Sequence, residues 1–220
     1  MRIIVQVVLW PLPWGLRRAL LQLLTGAEIH PTASIGCSVI LADSILMKEG
    51  SSILHFTIVG GLRRLELHEH SAIGSFNRIY ATPLDSKFFQ DDGDRDPSMV
   101  MEAHSHMVSQ HIIDCSGGVR IGTYALIAGH RSQIITHGID LVKNRQDADP
   151  VTIGAYSMVG TGCIVLPGSR LAPHSVLAAG STLLGAADKE HTIYAGEVAS
   201  EIGTISEDAA FFHRRNGVVY

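Results

Sequence analysis

Charge, paired cysteines and long apolar runs are all scarce in this chain of 220 residues. Only 17% of residues are charged, and the formal net charge is −4. Lys and Arg are dispersed, whereas nucleic-acid recognition needs them clustered on one face; nothing here points to a nucleic-acid partner. The three cysteines, Cys37, Cys115 and Cys163, lie far apart with no C-x-x-C or zinc-ribbon spacing. Their odd number and scatter argue against a disulfide framework and for a reducing compartment. The longest apolar stretch, Ile3 to Trp10, falls short of the ~20 residues that span a bilayer. It stops at Pro11-Leu12-Pro13-Trp14, and Arg17-Arg18 arrives before any small-residue cleavage site of the kind a secretory leader carries. The expectation is a cytoplasmic protein of one domain, long enough to bury a core.

Trp14 to Leu24 reads as a helix, with Leu16, Leu20, Leu21 and Leu24 on one side and Gly26 ending it. Two uses of this segment stay open. It caps the end of a larger fold, or its Trp, Leu and Arg residues anchor it at a membrane interface.

What the sequence has in abundance is repetition. From Ile153 an apolar residue falls at every sixth position: Ile153, Val159, Val165, Leu171, Leu177, Leu183. Four residues after each of the first five stands a small one: Ser157, Cys163, Ser169, Ser175, Ser181. Upstream the frame recurs at Ile29 and Ile35, at Leu67, Ile73 and Ile79, and at Ile121 and Ile127. A period of six fits neither a helix nor a long strand. It fits a coil of three short strands joined by tight corners, each large residue pointing into a prism. Segments 83–98 and 138–150 are acidic and turn-rich and break the frame. In such a stack, insertions leave the prism as loops while the coils continue, and loops on rigid scaffolds tend to carry function.

The run Pro150-Val-Thr-Ile-Gly-Ala-Tyr-Ser-Met-Val-Gly-Thr-Gly-Cys-Ile-Val-Leu-Pro-Gly-Ser169 resembles the repeat cores of the hexapeptide acyltransferases, the family that includes the maltose, galactoside and serine acetyltransferases. The resemblance covers roughly residues 27 to 200. It implies an all-β fold, a left-handed parallel β-helix, here with a short N-terminal helix and a short C-terminal helical tail. The expected organisation is an apolar segment over 1–26, the β-helix over 27–185 with its two insertions, and a tail over 186–220 containing a short helix from Glu207 to Arg215. Left-handedness comes from the resemblance alone, since the usual rule for parallel crossovers gives the other hand.

The resemblance also implies a chemistry. Transfer of an acetyl group to a hydroxyl needs a base, oxyanion donors and a hold on the thioester carrier. The sugar acetyltransferases carry their catalytic His in a Thr-His-x-x-Asp context before a loop and a Pro-x-x-Ile-Gly run. Here that is Thr136-His137-Gly-Ile-Asp140 followed by Pro150-Val-Thr-Ile-Gly154. By resemblance His137 is the general base, oriented by Asp140 or by a backbone carbonyl. Asp114, with His111 in the same segment, matches a substrate-binding Asp, although the spacing to the next Ile-Gly differs. A corner Asp bonding its own turn is the plainer alternative. Acetyl-CoA, or another acyl-CoA, is expected along amides at Thr161 and Ala179, with Gly180 beside them. Thr161 and Ala179 are one eighteen-residue turn apart and so stacked at ~4.8 Å. The family's closing Gly-x-Pro-Ala turn and following Arg are missing: Val198 stands for the Pro, and no Arg follows until Arg214.

The resemblance further implies a homotrimer with active sites between prisms, and a sugar as acceptor. Trp10, Trp14 and the Arg17-Arg18 pair would give residues 1–25 peripheral contact with the inner membrane face, which makes a polysaccharide precursor or glycolipid the expected acceptor. Two other readings compete. The same fold serves γ-class carbonic anhydrases, and His70, His106 and His111 approximate their metal-ligand spacing. The repeats could also be a non-catalytic scaffold.

Overall fold

The structure is a computed structural model that describes residues 2–89 and 95–219. Its body is a left-handed parallel β-helix with three faces. The first face runs from Glu28–Ile29 through the later halves of Val39–Met47 and Ile58–Leu67. It continues through Ser98–Met101, Val119–Ile121, Val151–Ile153 and Arg170–Leu171 to Ala186–Ala187. The second stacks Ser34–Ile35 up to Thr192–Ala195. The third stacks the opening halves of the two long strands, then Arg78–Tyr80, Ile112–Asp114, Gln133–Ile134, Ile164–Val165 and Thr182–Leu183. Strand partners such as Met158 and Val176 lie eighteen residues apart, three hexapeptides to a coil.

The six-residue period is the period of the core. Ile153, Val159, Val165, Leu171 and Leu177 are fully buried, and Leu183 nearly so. Each such side chain contributes about 1.5–3 kcal/mol by leaving water. Corner residues are small because their hydroxyls bond backbone carbonyls at the bend. Ser132 Oγ donates to Gly160 O at 2.9 Å, Ser157 Oγ to Ala172 O at 2.8 Å and Ser169 Oγ to Leu183 O at 3.0 Å.

The corner between the first and second faces accounts for four of the twelve histidines. His70, His104, Tyr124, Tyr156, His174 and His191 occupy successive left-handed positions there, with φ of 53–58°. Side chains adopt that region at a cost of roughly 1–2 kcal/mol each. Stacking offsets it: neighbouring rings are parallel to within about 20°, with centroids 4.6–5.4 Å apart. The C-terminal tail runs along this ladder. Phe212 meets His174 and His191 edge-on, and the Arg214 guanidinium lies against Phe211, Tyr124 and Tyr156 and donates to Tyr124 O.

Three boundaries differ from the sequence expectation. The apolar run at the N-terminus is itself helical, α1 (Arg2–Val8), before the expected helix α2 (Trp14–Thr25), which Gly26 closes at φ 70°. The prism does not end at 185. Ala186–Ala187 and Thr192–Ala195 still pair with the coil below, and Ser200–Thr204 folds back antiparallel. The tail helix shrinks to a single 3-10 turn, Ala210–His213, because Phe212 and Arg214 dock on the ladder instead of continuing a helix. The first insertion returns to the prism at Ser98, and the second forms an antiparallel hairpin, His137–Asp140 with Arg145–Ala148.

Both helices close the open end of the prism. The Gln6 side chain pairs with Ile40 as a strand would, Nε2 donating to Ile40 O at 2.7 Å and Ile40 N donating to Oε1 at 2.8 Å. Trp14 Nε1 donates to Ala33 O at 2.8 Å, and buried Arg17 donates to Gly36 O. Arg17 is therefore buried on the Gly36 carbonyl and does not form a basic surface pair with Arg18. Among the described residues, no helix is long and apolar enough to cross a membrane.

Candidate active site

Both insertions leave the same corner, between the third and first faces. The coil between them crosses that corner in four residues, Cys115–Gly118. Asp114 ends the strand Ile112–Asp114, which pairs in parallel with Gln133–Ile134 on the next coil. With Ile113 and Ile134 both pointing inward, the pairing carries Asp114 to the level of Thr136 and His137. Residues 23 apart in sequence thus become neighbours, and His137 Nδ1 lies 2.6 Å from Asp114 Oδ2.

Asp114 is fully buried and its carboxylate is saturated with donors. Oδ1 accepts from Ser116 N at 3.1 Å and Ser116 Oγ at 2.6 Å. Oδ2 accepts from Thr136 N at 2.9 Å as well as from His137. Thr136 Oγ1 accepts from Gly117 N at 2.8 Å, which leaves its own hydrogen for Asp114, 2.9 Å away. Burial opposes the charge on Asp114, but the hydrogen bonds from Ser116, His137 and Thr136 outweigh it and hold the carboxyl below its ordinary range. An ionised Asp114 only accepts, so it fixes the His137 proton on Nδ1 and leaves the Nε2 lone pair outward. No described residue bonds Nε2, and the His137 side chain is 32% exposed.

Phe89, from the first insertion, meets the His137 ring edge-on with centroids 6.2 Å apart. Arg95 lies across Phe89 at 4.0 Å and donates to Thr82 O at 2.7 Å and Ser116 O at 3.3 Å. The first insertion is thereby tied to the turn that holds Asp114, and it walls the imidazole. Neither Phe89 nor Arg95 stands out in the sequence, where an aromatic pair inside an acidic loop was the available signal.

The other expected residues separate. Asp140 is engaged in its own hairpin turn, accepting from Val142 N at 2.9 Å and Lys143 N at 3.0 Å. The partner on His137 Nδ1 is Asp114, neither Asp140 nor a carbonyl. His111 is sealed in the corner between the second and third faces, 1% exposed, in the row of small residues with Thr57, Asn77, Ser132 and Cys163. Its Nδ1 accepts from Ser132 N at 3.2 Å, and burial pushes its pKa down to about 4. A ring so enclosed has no route to a substrate. It is equally unable to join His70 and His106 on a metal: His106 lies on the second face with Nε2 3.3 Å from His70 O, and His70 stacks on His104. Among the described residues, the His and carboxylate group whose ligand atoms converge, within 4.8 Å, is His174, Glu190 and His191. Its two rings are stacked nearly parallel, so their lone pairs do not aim at a common point.

Thr161, Ala179 and Gly180 are exposed at the corner between the second and third faces, Thr161 stacked on Ala179 and Gly180 beside the latter. Thr161 O accepts from Gly180 N at 2.9 Å, while the amides of Thr161 and Ala179 have no partner among the described residues. The corner therefore offers two unpartnered N–H groups on exposed residues a strand spacing apart. Arg214 is absent from it, committed to the ring ladder. Burial pushes the thiols of Cys115 and Cys163 up, so neither is a ready nucleophile.

No protein-family model matches the chain, and no curated protein matches it. Solved structures do. The polysialic acid O-acetyltransferase OatWY aligns with TM-score 0.59 at 13% identity, over 86% of this chain and 92% of its own. A variant of AntD, an N-acyltransferase from Bacillus cereus solved with dTDP-4-amino-4,6-dideoxyglucose and coenzyme A, aligns with TM-score 0.54 at 13% identity, over 89% and 92%. A hexapeptide-repeat acetyltransferase from Vibrio cholerae, complexed with acetyl coenzyme A, aligns with TM-score 0.50 at 14% identity, over 94% and 86%. At such identities the likeness is one of fold. The chain has the left-handed hexapeptide-repeat β-helix fold that these acyltransferases share.

Proposed function

We propose that this protein transfers an acetyl group from acetyl-CoA to a hydroxyl of a sugar or polysaccharide precursor. The observation that carries the reading is the buried, ionised Asp114 on His137 Nδ1, which leaves Nε2 as a base at the mouth of the corner. Nε2 takes the acceptor's hydroxyl proton as its oxygen attacks the thioester carbonyl. The tetrahedral adduct then collapses, the C–S bond breaks, and the imidazolium returns the proton to the departing thiolate of CoA. Such proton transfer contributes typically ~10²–10⁴-fold. The unpartnered amides of Thr161 and Ala179 suit the pantetheine arm, and the buried, hard-to-ionise thiols of Cys115 and Cys163 favour direct transfer over an acyl-enzyme. Fold likeness to OatWY and to the CoA-bound AntD and Vibrio proteins supports the reading.

The same base would serve an amino-sugar acceptor, the ligand class in the AntD complex. The test is CoA release from acetyl-CoA with hydroxyl and amino sugars, comparing wild type with His137→Ala. Loss in the variant, with its melting temperature kept, is the expected result. Equal release from both proteins would overturn the role of His137.

A homotrimer with sites between prisms fits the second insertion, whose hairpin carries Leu141 and Val142 at 87% and 95% exposure, off the body of the prism. Peripheral contact with the inner membrane face, and so a cytoplasmic location, fits the outward Ile3, Ile4 and Val8 of α1. Loss of liposome co-sedimentation on deleting residues 1–12 would support that contact, and wild-type indifference to anionic liposomes would sink it.

A further inference from the structure

We propose that Arg78, with Tyr80, is the site that recognises a negative charge on the acceptor, so that the natural acceptor is an anionic sugar. The inference rests on the transferase reading and names the substrate class for it.

The strand Arg78–Tyr80 pairs in parallel with Ile112–Asp114, setting Arg78 against Ile112 and Tyr80 against Asp114. Ile79 and Ile113 are core residues at 1% and 0% exposure. Strand alternation therefore puts Arg78, Tyr80 and Asp114 all on the outer side of the third face. Tyr80 is thus the neighbour of the carboxylate that holds His137. The same proximity acts on its phenol, whose pKa is raised by burial and then by the charge of Asp114. The Arg78 guanidinium sits over the Tyr80 ring, 5.8 Å from its centroid.

Arg78 is unlike the arginines of the first face. Arg64, Arg120 and Arg170 each meet a carboxylate, Asp96, Glu102 and Asp188 respectively. Among the described residues Arg78 has neither ion pair nor hydrogen bond and is exposed. Its resting place is an aromatic face, which orients a guanidinium and leaves its five N–H donors unspent. One strand step and two residues separate it from the level of Asp114, roughly 8–10 Å. The His137 ring lies just beyond Asp114, and the Arg78 side chain, laid over Tyr80, reaches part of the way, so a sugar with a charged substituent bridges from its reacting hydroxyl at His137 to its anion at Arg78. Bidentate pairing with a planar carboxylate or with phosphate oxygens is what a guanidinium does best. The two sources share this chemistry: a carboxylate on the sugar, or the diphosphate of a nucleotide sugar.

The experiment uses the full chain carrying His137→Asn and reads binding by saturation-transfer NMR, without acetyl-CoA. The probes are glucose, glucuronate and UDP-glucose. The expected result is that glucuronate or UDP-glucose binds at least tenfold more tightly than glucose. Arg78→Gln should bring that probe to within about twofold of glucose, while Arg131→Gln, which alters another exposed arginine, leaves the preference in place. A glucuronate preference assigns an acidic sugar, and a UDP-glucose preference assigns a nucleotide sugar. The inference is overturned if neither anion outbinds glucose or if the preference survives Arg78→Gln. Because the readout needs no acyl donor, the two readings fail separately: an Arg78-dependent preference in a protein that releases no CoA from acetyl-CoA with any sugar would sink the transferase reading and leave the anion site standing.

Discussion

His137 Nδ1 and Asp114 Oδ2 stand 2.6 Å apart although 23 residues separate them in the chain. The coil register makes that contact, and it fixes the tautomer of a loop-mouth histidine, as the proposed base requires. Asp114 receives hydrogen bonds from Ser116 and Thr136 as well, so the carboxylate cannot swing away, and the imidazole is held by a group that is itself held.

Asp114→Asn keeps the shape of the site and removes the charge. The expected outcome is a fall in kcat of ~10²–10⁴-fold with little change in KM for acetyl-CoA, measured by CoA release. The variant should also lose part of the acid sensitivity of folding. The folded carboxyl lies below its unfolded value of about 3.9. Its stabilisation is therefore present above that value and lost as pH falls through the lower folded one. Urea midpoints at pH 7 and pH 3 read the difference.

His111 loses stability in the same direction, in a higher pH window. Its folded pKa of about 4 lies below the unfolded value of about 6.5. Between those values the unfolded chain binds the extra proton, so stability falls as the pH drops through that window. The contribution is on the order of 3 kcal/mol. His111→Asn puts the residue type of Asn77 in the same corner row and should flatten the pH dependence of the melting temperature between pH 4 and about 6.5. An unchanged slope would place the titration elsewhere.

Ala179→Pro removes one N–H and little else. Proline already precedes the left-handed residue at two other corners, Pro167 before Gly168 and Pro173 before His174, and Ala179 precedes Gly180 in the same way. Such a turn accepts proline at this position. If the Ala179 amide holds the pantetheine arm, KM for acetyl-CoA should rise about 5–10-fold, the worth of one net hydrogen bond. The melting temperature should hold or rise. An unchanged KM would mean that the carrier lies elsewhere.

The double substitution Leu141→Asp and Val142→Asp alters only the exposed tip of the hairpin. If the tip seats on a neighbouring copy, sedimentation should show a trimer in wild type and a monomer in the variant, with activity lost alongside. A wild type that sediments as a monomer would end the trimer proposal.

The six-residue period was sufficient to read the prism, because each inward position takes a large apolar residue and each corner a small one. Ile153 through Leu183 show this in order. The same period hid His111, since a histidine in the place of a serine looks like a projecting ligand until the corner is seen to enclose it. The prism also outlasts its pattern: Ala187 and Tyr194 pair with the coil below although neither continues the frame. Backbone pairing needs no particular side chain once a template edge exists.

Of the proposed site, the sequence by itself singled out the histidine and the corner amides, through local motifs: Thr136-His137 before an insertion, and Thr161 and Ala179 one turn apart. Tertiary structure alone decided that Asp114 rather than Asp140 holds His137, and that Phe89 and Arg95 wall it. It also decided that Arg78 and Tyr80 share its face, and that Arg214 is spent on the ring ladder. The physical reason is that coil register fixes which residues become neighbours across a strand spacing. Two insertions of unequal length shift that register by amounts that no local spacing records.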